Sequence, residues 1–107
     1  MKKIIFALLL VASFSHAEQI DCGSYKIKSI QAEDGGIIVL LVDKAGKERW
    51  KSLGSWQNPS TKPFQAVAQQ AFAMDKEVVL RFFYTGQQYS CDETDYHTKP
   101  YMIRITQ

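Results

Sequence analysis

Two cysteines, Cys22 and Cys91, enclose most of this 107-residue chain and are the only cysteines in it. In a short exported chain, a single pair of cysteines is most simply one intramolecular disulfide. The chain-entropy account gives a bridge that closes a loop of about 70 residues a stabilisation of ~4 kcal/mol. We therefore expect a fold that brings these two positions together. An intermolecular bridge and two free thiols are the alternatives.

The first residues are typical of a secretory signal peptide. A positive start, Lys2-Lys3, precedes an apolar run over residues 4–12 and a small-x-small cleavage site that ends at Ala17. The apolar run is shorter than the ~20 residues that span a bilayer. We predict that residues 1–17 are removed and that residues 18–107 form one exported domain, periplasmic or secreted, without a membrane span. A retained N-terminal anchor is the alternative.

The mature chain is predicted to carry balanced charge. The full sequence has 13 Lys and Arg residues against 11 Asp and Glu residues, and two lysines leave with the signal peptide, which makes the signs equal. Proteins that bind nucleic acid need a concentrated basic patch to contact phosphates. We therefore expect no nucleic-acid partner.

The hydrophobic pattern predicts five strands and one helix. Residues 37–42 are a continuous apolar run, and five apolar residues from Phe64 to Phe72 form a stripe at helical spacing. The predicted elements are strands over 24–32, 37–42 and 48–53, a helix over 61–74, and strands over 78–84 and 100–105. This order, β-β-β-α-β-β, matches the parts of an OB-fold, a five-stranded Greek-key barrel. The predicted fold class is therefore mainly β with one helix (α+β).

Some predicted strands have more apolar surface than a small barrel can bury. Strands 37–42 and 78–84 are apolar on both faces, and Tyr101, Ile103 and Ile105 are predicted to point inward from the last strand. An apolar face that the helix leaves uncovered favours contacts between subunits. The sequence therefore predicts a homo-oligomer.

The mature chain lacks a convincing catalytic or metal-binding motif. His97 is its only histidine, and histidine-assisted catalysis needs a nearby nucleophile and an orienting acid. Asp92, Glu93 and Asp95 precede His97 without the spacing of a calcium loop, and zinc prefers a denser set of His and Cys ligands. We expect a solvated acidic loop, no enzyme activity, no metal and no cofactor.

Two polar loops contain the candidate binding residues. The first has Trp56 beside Gln57 and Asn58, and the second has Tyr96, His97 and Lys99. Sugar binding in water needs a flat aromatic surface for the apolar ring face and amide or charged groups for the hydroxyls. If the loops meet at one end of a barrel, they form such a site. Alternatively, Trp56 caps the core and Tyr96 is ordinary surface.

The arrangement of the cysteines and the helix resembles the B subunits of pentameric bacterial toxins. One cysteine precedes the first strand, the other follows the long strand, and a single helix lies between them. Leu53-Gly54-Ser55 and Thr98-Lys99-Pro100 resemble short stretches of the cholera-toxin type, and residues 71–85 are similar to the subtilase-cytotoxin type. The resemblance implies an OB-fold, a ring of five subunits with a catalytic A subunit, export, and binding of a cell-surface glycan.

The resemblance also implies which residues contact the glycan. The cholera type places contacts in the loop after Gly54, here Trp56, Gln57 and Asn58, and in the loop after the second cysteine. This chain has Glu93 where that type has a tryptophan, and Lys51 where it has a glutamate. The subtilase type uses a serine near the first strand for sialic acid, a place close to Ser24.

Two other functions are compatible with the sequence. A small exported β-domain with one disulfide could be a periplasmic envelope protein, similar to a lysozyme inhibitor, that binds a protein partner through a loop. It could also be an exported β-domain with no ligand pocket.

Overall fold

The computed structural model describes residues 17–107, so the predicted signal peptide, apart from Ala17, lies outside the described residues. Five strands and one helix make up the described part. They are β1 (Glu18–Ala32), β2 (Gly36–Val42), β3 (Glu48–Ser55), α1 (Thr61–Met74), β4 (Glu77–Tyr84) and β5 (Met102–Thr106). The predicted class, mainly β with one helix, is confirmed. In this part of the chain no helix is long and apolar enough to cross a membrane.

The 15-residue strand β1 organises the sheet, because it pairs with β2 through its second half and with β4 through its first half. All pairings are antiparallel, in the order β3-β2-β1-β4-β5. The register with β4 shifts between Cys22 and Tyr25, and Gly23 in this interval has φ +143°. Irregularities of this kind bend a strand, so β1 can follow both halves of a curved sheet.

The sheet is open between β3 and β5, and no pairing closes it within residues 17–107. The predicted closed Greek-key barrel is therefore not shown. One isolated parallel bridge, between Lys51 and Asp95, joins β3 to the segment that precedes β5. That segment, residues 91–101, is called the 91–101 loop below.

The core lies between the concave face of the sheet and α1. Strands β2 and β4 supply alternate buried residues, among them Val39, Leu41, Leu80 and Phe82. The helix contributes Ala68 and Ala71, whereas Phe72 is 49% exposed, so the buried helix stripe is narrower than predicted. The inward position predicted for Tyr101 is also wrong. Tyr101 precedes β5 and is 55% exposed, and its ring packs on Phe83 outside the core.

The predicted disulfide is confirmed. Cys22 and Cys91 are bonded, with their Cα atoms 5.4 Å apart, and no other cysteine is present among the described residues. Cys22 is buried in the central strand. The bridge therefore fixes the first residue of the 91–101 loop to the middle of the sheet.

Candidate functional site

An open cleft of about 770 Å³ lies over the end of the sheet where β1 turns into β2. Its walls come from that turn, from β2 and β3, from the segment after β3 and from the 91–101 loop. The side chains that line it include Gln31, Glu33, Ile38, Trp50, Ser52, Asn58, Tyr96, His97 and Lys99. We call this the outer cleft, because it lies on the face of β2 and β3 that points away from the core.

Trp50 and Ile38 form the apolar floor of the outer cleft. Leu40 pairs directly with Trp50 and Ile38 with Ser52, so these side chains share the outer face of the two strands. Trp50 is half-buried there. Trp50 is not among the predicted binding residues, because a tryptophan between two charged residues in a strand gives no local signal of a binding site.

The reason for the position of Trp50 is that its two charged neighbours, Arg49 and Lys51, point into the core. Both side chains are buried, at 1% and 0% exposure. The guanidinium of Arg49 donates to Asp43 Oδ2 at 2.7 Å and lies 4.8 Å from the ring centre of Tyr25. The charged residues of a strand usually lie on its solvent-exposed face. In β3 the charged Arg49 and Lys51 instead face the core, and Trp50 between them faces outward.

Lys51 fixes the segment that leads into the 91–101 loop. Its ammonium donates to Tyr89 Oη at 2.9 Å, to the Ser90 carbonyl at 3.0 Å and to the Glu93 carbonyl at 2.7 Å. A charged ammonium has three donors, and all three are used. Burial, which outweighs the nearby carboxylates, lowers the pKa of Lys51 to about 8.

Asp95 organises the part of the loop that lines the outer cleft. Its carboxylate accepts from the Tyr89 hydroxyl at 2.8 Å and from the backbone N–H groups of His97 and Thr98 at 2.9 and 3.1 Å. Burial alone would raise the pKa of Asp95, but these hydrogen bonds hold the pKa below its ordinary value. The loop is therefore not simply a solvated acidic segment: Asp92 and Glu93 are exposed, whereas Asp95 is tied to the structure.

Backbone contacts also hold the loop beside β3. The Trp50 N–H donates to Thr94 Oγ1 at 3.0 Å, and the Asp95 N–H donates to the Trp50 carbonyl at 3.0 Å. Because of these contacts, the loop lies where a strand next to β3 would lie. Tyr96, His97 and Lys99 then reach the wall of the cleft, and Tyr96 is 52% exposed.

The opposite wall contains side-chain amides and one carboxylate. Gln31 and Glu33 come from the end of β1, and Asn58 comes from the turn between β3 and α1. The Asn58 Oδ1 accepts from the backbone N–H of Ser60 at 3.2 Å and from its hydroxyl at 2.9 Å. These two bonds fix the Asn58 side chain in the turn beside the cleft.

The structure brings together only some of the predicted binding residues. Asn58, Tyr96 and Lys99 line the outer cleft, whereas Trp56, Gln57 and Ser24 do not. The half-buried Trp56 packs against the core, and its indole N–H donates to the Glu33 carbonyl at 2.7 Å. Trp56 therefore holds the β1–β2 turn that forms one wall.

The two remaining residues have different surroundings. Gln57 is exposed on the segment after β3. Ser24 lies beside Glu77 at the start of β4. Its hydroxyl lowers the pKa of the Glu77 carboxyl, whereas burial acts in the opposite direction.

No group of three or more His, Cys, Asp or Glu side chains is placed to hold a metal ion in the part of the chain that the structure describes. The search for similar proteins found nothing that matches: no family model, no curated protein and no solved structure.

Proposed function

We propose that this protein is an exported, non-catalytic binding protein of the toxin B-subunit type, and that the outer cleft recognises a cell-surface glycan. The observation that carries the proposal is the composition of the cleft. The aromatic residues Trp50 and Tyr96 line one cleft together with the polar residues Gln31, Asn58 and Lys99. Sugars present apolar ring faces and hydroxyl groups, and aromatic and amide groups are the matching partners.

The proposal includes an OB-fold. Support comes from the element order, from the central β1 that pairs on both sides, and from the parallel bridge between Lys51 and Asp95. In this proposal, the 91–101 loop completes the barrel beside β3 without forming a regular strand there. The Cys22–Cys91 disulfide supports export, because such bonds persist in oxidising compartments. We place the mature protein in the periplasm or outside the cell.

The proposal also includes a homo-oligomer, a pentamer in the toxin B-subunit arrangement, that could carry a catalytic A subunit. Exposed apolar side chains support subunit contacts. Phe72 and Met74 at the end of α1 are each 49% exposed, and Phe83 on β4 is 38% exposed. Large apolar side chains at the surface are typical of contact areas.

The experiment measures binding of the mature, disulfide-bonded protein to a glycan array. We expect binding by the wild type and a loss of about tenfold in affinity for Tyr96→Ala, which is about 1.4 kcal/mol. Tyr84→Ala is the control, because Tyr84 is an aromatic residue at the end of β4 that lies outside the cleft lining. The absence of any bound glycan, or equal losses in the two variants, would refute the proposal.

A protein partner is the second candidate, and one observation favours it. Phe83 and Tyr101 form an exposed aromatic pair, with ring centres 4.4 Å apart, outside the outer cleft. Exposed aromatic pairs are common anchors of protein interfaces. If the protein is an inhibitor of the lysozyme-inhibitor kind, it should inhibit muramidase, and Tyr101→Ala should weaken inhibition more than Tyr96→Ala.

A further inference from the structure

Lys51 is not among the residues that line the outer cleft, yet its hydrogen bonds connect it to the wall of that cleft. Its ammonium binds Tyr89 Oη, 2.9 Å away, and the Tyr89 hydroxyl in turn donates to Asp95 at 2.8 Å. Asp95 accepts from the backbone N–H groups of His97 and Thr98. Three consecutive hydrogen bonds thus lead from the buried lysine to the turn that contains Tyr96.

Two further bonds fix the base of the same loop. Lys51 also donates to the carbonyls of Ser90 and Glu93, on either side of the disulfide-bonded Cys91. The ammonium lies 4.5 Å from the ring centre of Tyr89, a distance at which a cation is attracted to an aromatic face. The three hydrogen-bond acceptors of the Lys51 ammonium therefore all belong to residues 89–93.

We propose that Lys51 is a positioning residue for ligand binding: its protonated ammonium holds the 91–101 loop in the conformation that presents Tyr96, His97 and Lys99 to the outer cleft. The inference rests on the proposed function. In it, a buried side chain determines the conformation of the cleft wall. Loss of the Lys51 charge weakens binding although Lys51 does not contact the ligand.

The protonation state of Lys51 depends on pH. An ammonium has three donors, whereas a neutral amine has two, so deprotonation removes one of the three bonds to residues 89–93. From β3, Arg49 opposes the charge of Lys51. Asp92, Glu93 and Asp95 from the loop favour that charge, and the hydroxyls of Tyr89 from the loop base and Tyr25 from β1 face the same interior. Burial dominates this balance and brings the pKa of Lys51 to about 8. Mildly alkaline solution therefore removes one hydrogen bond to residues 89–93 and loosens the loop locally, while the fold as a whole no longer buries a charge.

The first measurement follows the loop without any ligand. Amide hydrogen exchange is recorded for His97 and Thr98, whose N–H groups bind Asp95, and is expressed as protection factors at about pH 7 and about pH 9. Lys51→Met is expected to lower both protection factors about fivefold or more at either pH. A decrease of this size corresponds to the loss of about one hydrogen bond from the local stability of the loop. Lys62→Met, at an exposed helix position, is the matched control and should leave them unchanged.

The second measurement is the glycan array read at the same two pH values. We expect wild-type binding to weaken several-fold at the higher pH, and Lys51→Met to bind weakly at both. The comparison with Lys51→Met separates the contribution of Lys51 to any pH dependence from that of the residues that line the cleft. Lys51→Arg, which keeps its charge at both pH values, should bind equally at both.

Tyr89→Phe provides a variant that keeps every charge. It removes the hydroxyl that links Lys51 to Asp95, and it should lower the protection of His97 and Thr98 while Lys51 keeps its two carbonyl bonds. Unchanged protection in both Lys51→Met and Tyr89→Phe would overturn the inference. If loop protection follows Lys51 but no glycan binds at any pH, the proposed function fails and the positioning of the loop by Lys51 stands.

Discussion

The buried ammonium of Lys51 predicts an unusual dependence of folding stability on pH. Lysine in an unfolded chain has a pKa near its ordinary value of 10.5, whereas burial lowers the pKa of folded Lys51 to about 8. Between these two values the unfolded chain binds more protons than the folded protein. The free energy of unfolding must therefore rise as the pH increases through this interval.

The magnitude follows from the two pKa values. At pH 7.5 the burial of the charged form lowers the free energy of unfolding by about 3 kcal/mol, and at pH 9.5 by about 1 kcal/mol. Raising the pH between these limits should thus stabilise the protein by about 2 kcal/mol, which corresponds to ~10 °C in Tm for a domain of this size. Above about pH 10 the sign reverses, because burial raises the pKa of Tyr25 and Tyr89 and only the unfolded chain then loses phenolic protons.

The assay is urea unfolding of the mature, disulfide-bonded protein, followed by tryptophan fluorescence in steps from pH 7.5 to pH 9.5 at constant ionic strength. The wild type and Lys62→Met should gain stability with pH at equal slopes, because Lys62 is exposed in the folded protein. Lys51→Met should show no gain over this interval. A wild-type curve that is flat or falls, or a Lys51→Met curve that rises in parallel, would refute the reasoning.

Three further predictions concern the scaffold of the cleft. Replacing both Cys22 and Cys91 with alanine should lower the free energy of unfolding by ~4 kcal/mol in urea titrations, and a loss below ~1 kcal/mol would contradict the loop-entropy argument. Trp56→Phe removes the indole hydrogen bond to the β1–β2 turn and should lower that free energy by ~1 kcal/mol, with an unchanged glycan-array profile; a changed profile would make Trp56 a ligand contact. Gly54→Ala should lower Tm in a calorimetric scan, since Gly54 has φ +131° and a Cβ there would meet the Thr61 hydroxyl; an unchanged Tm would contradict this.

The elements that the sequence predicted correctly have strong local signals. The helix was predicted over residues 61–74 and is observed as Thr61–Met74, because its apolar spacing is periodic and Pro63 suits a first turn. The β-branched run of β2 also occurs where predicted. The disulfide between Cys22 and Cys91 could be predicted because the chain has only two cysteines and is predicted to be exported.

The features that the sequence did not reveal depend on residues far apart in the chain. The first half of β1 was missed because Gly23 resembles a strand end, although it lies at a register shift inside the strand. The inward direction of Lys51 depends on acceptors in residues 89–93, about forty positions later. Side chains alternate along a strand. If Arg49 and Lys51 are taken to face solvent, Trp50 is placed in the core and is not recognised as a residue of the cleft.

Side chains of β3 face alternately the cleft and the interior, so substitutions in this strand affect either the surface or the core. Trp50 and Ser52 face the cleft, while Arg49, Lys51 and Leu53 face the interior. Substitution of Trp50 can therefore change the chemistry of the surface with little disturbance of the interior. Ser52, by contrast, is buried and accepts a hydrogen bond from the Gly54 N–H, so it is also part of the scaffold.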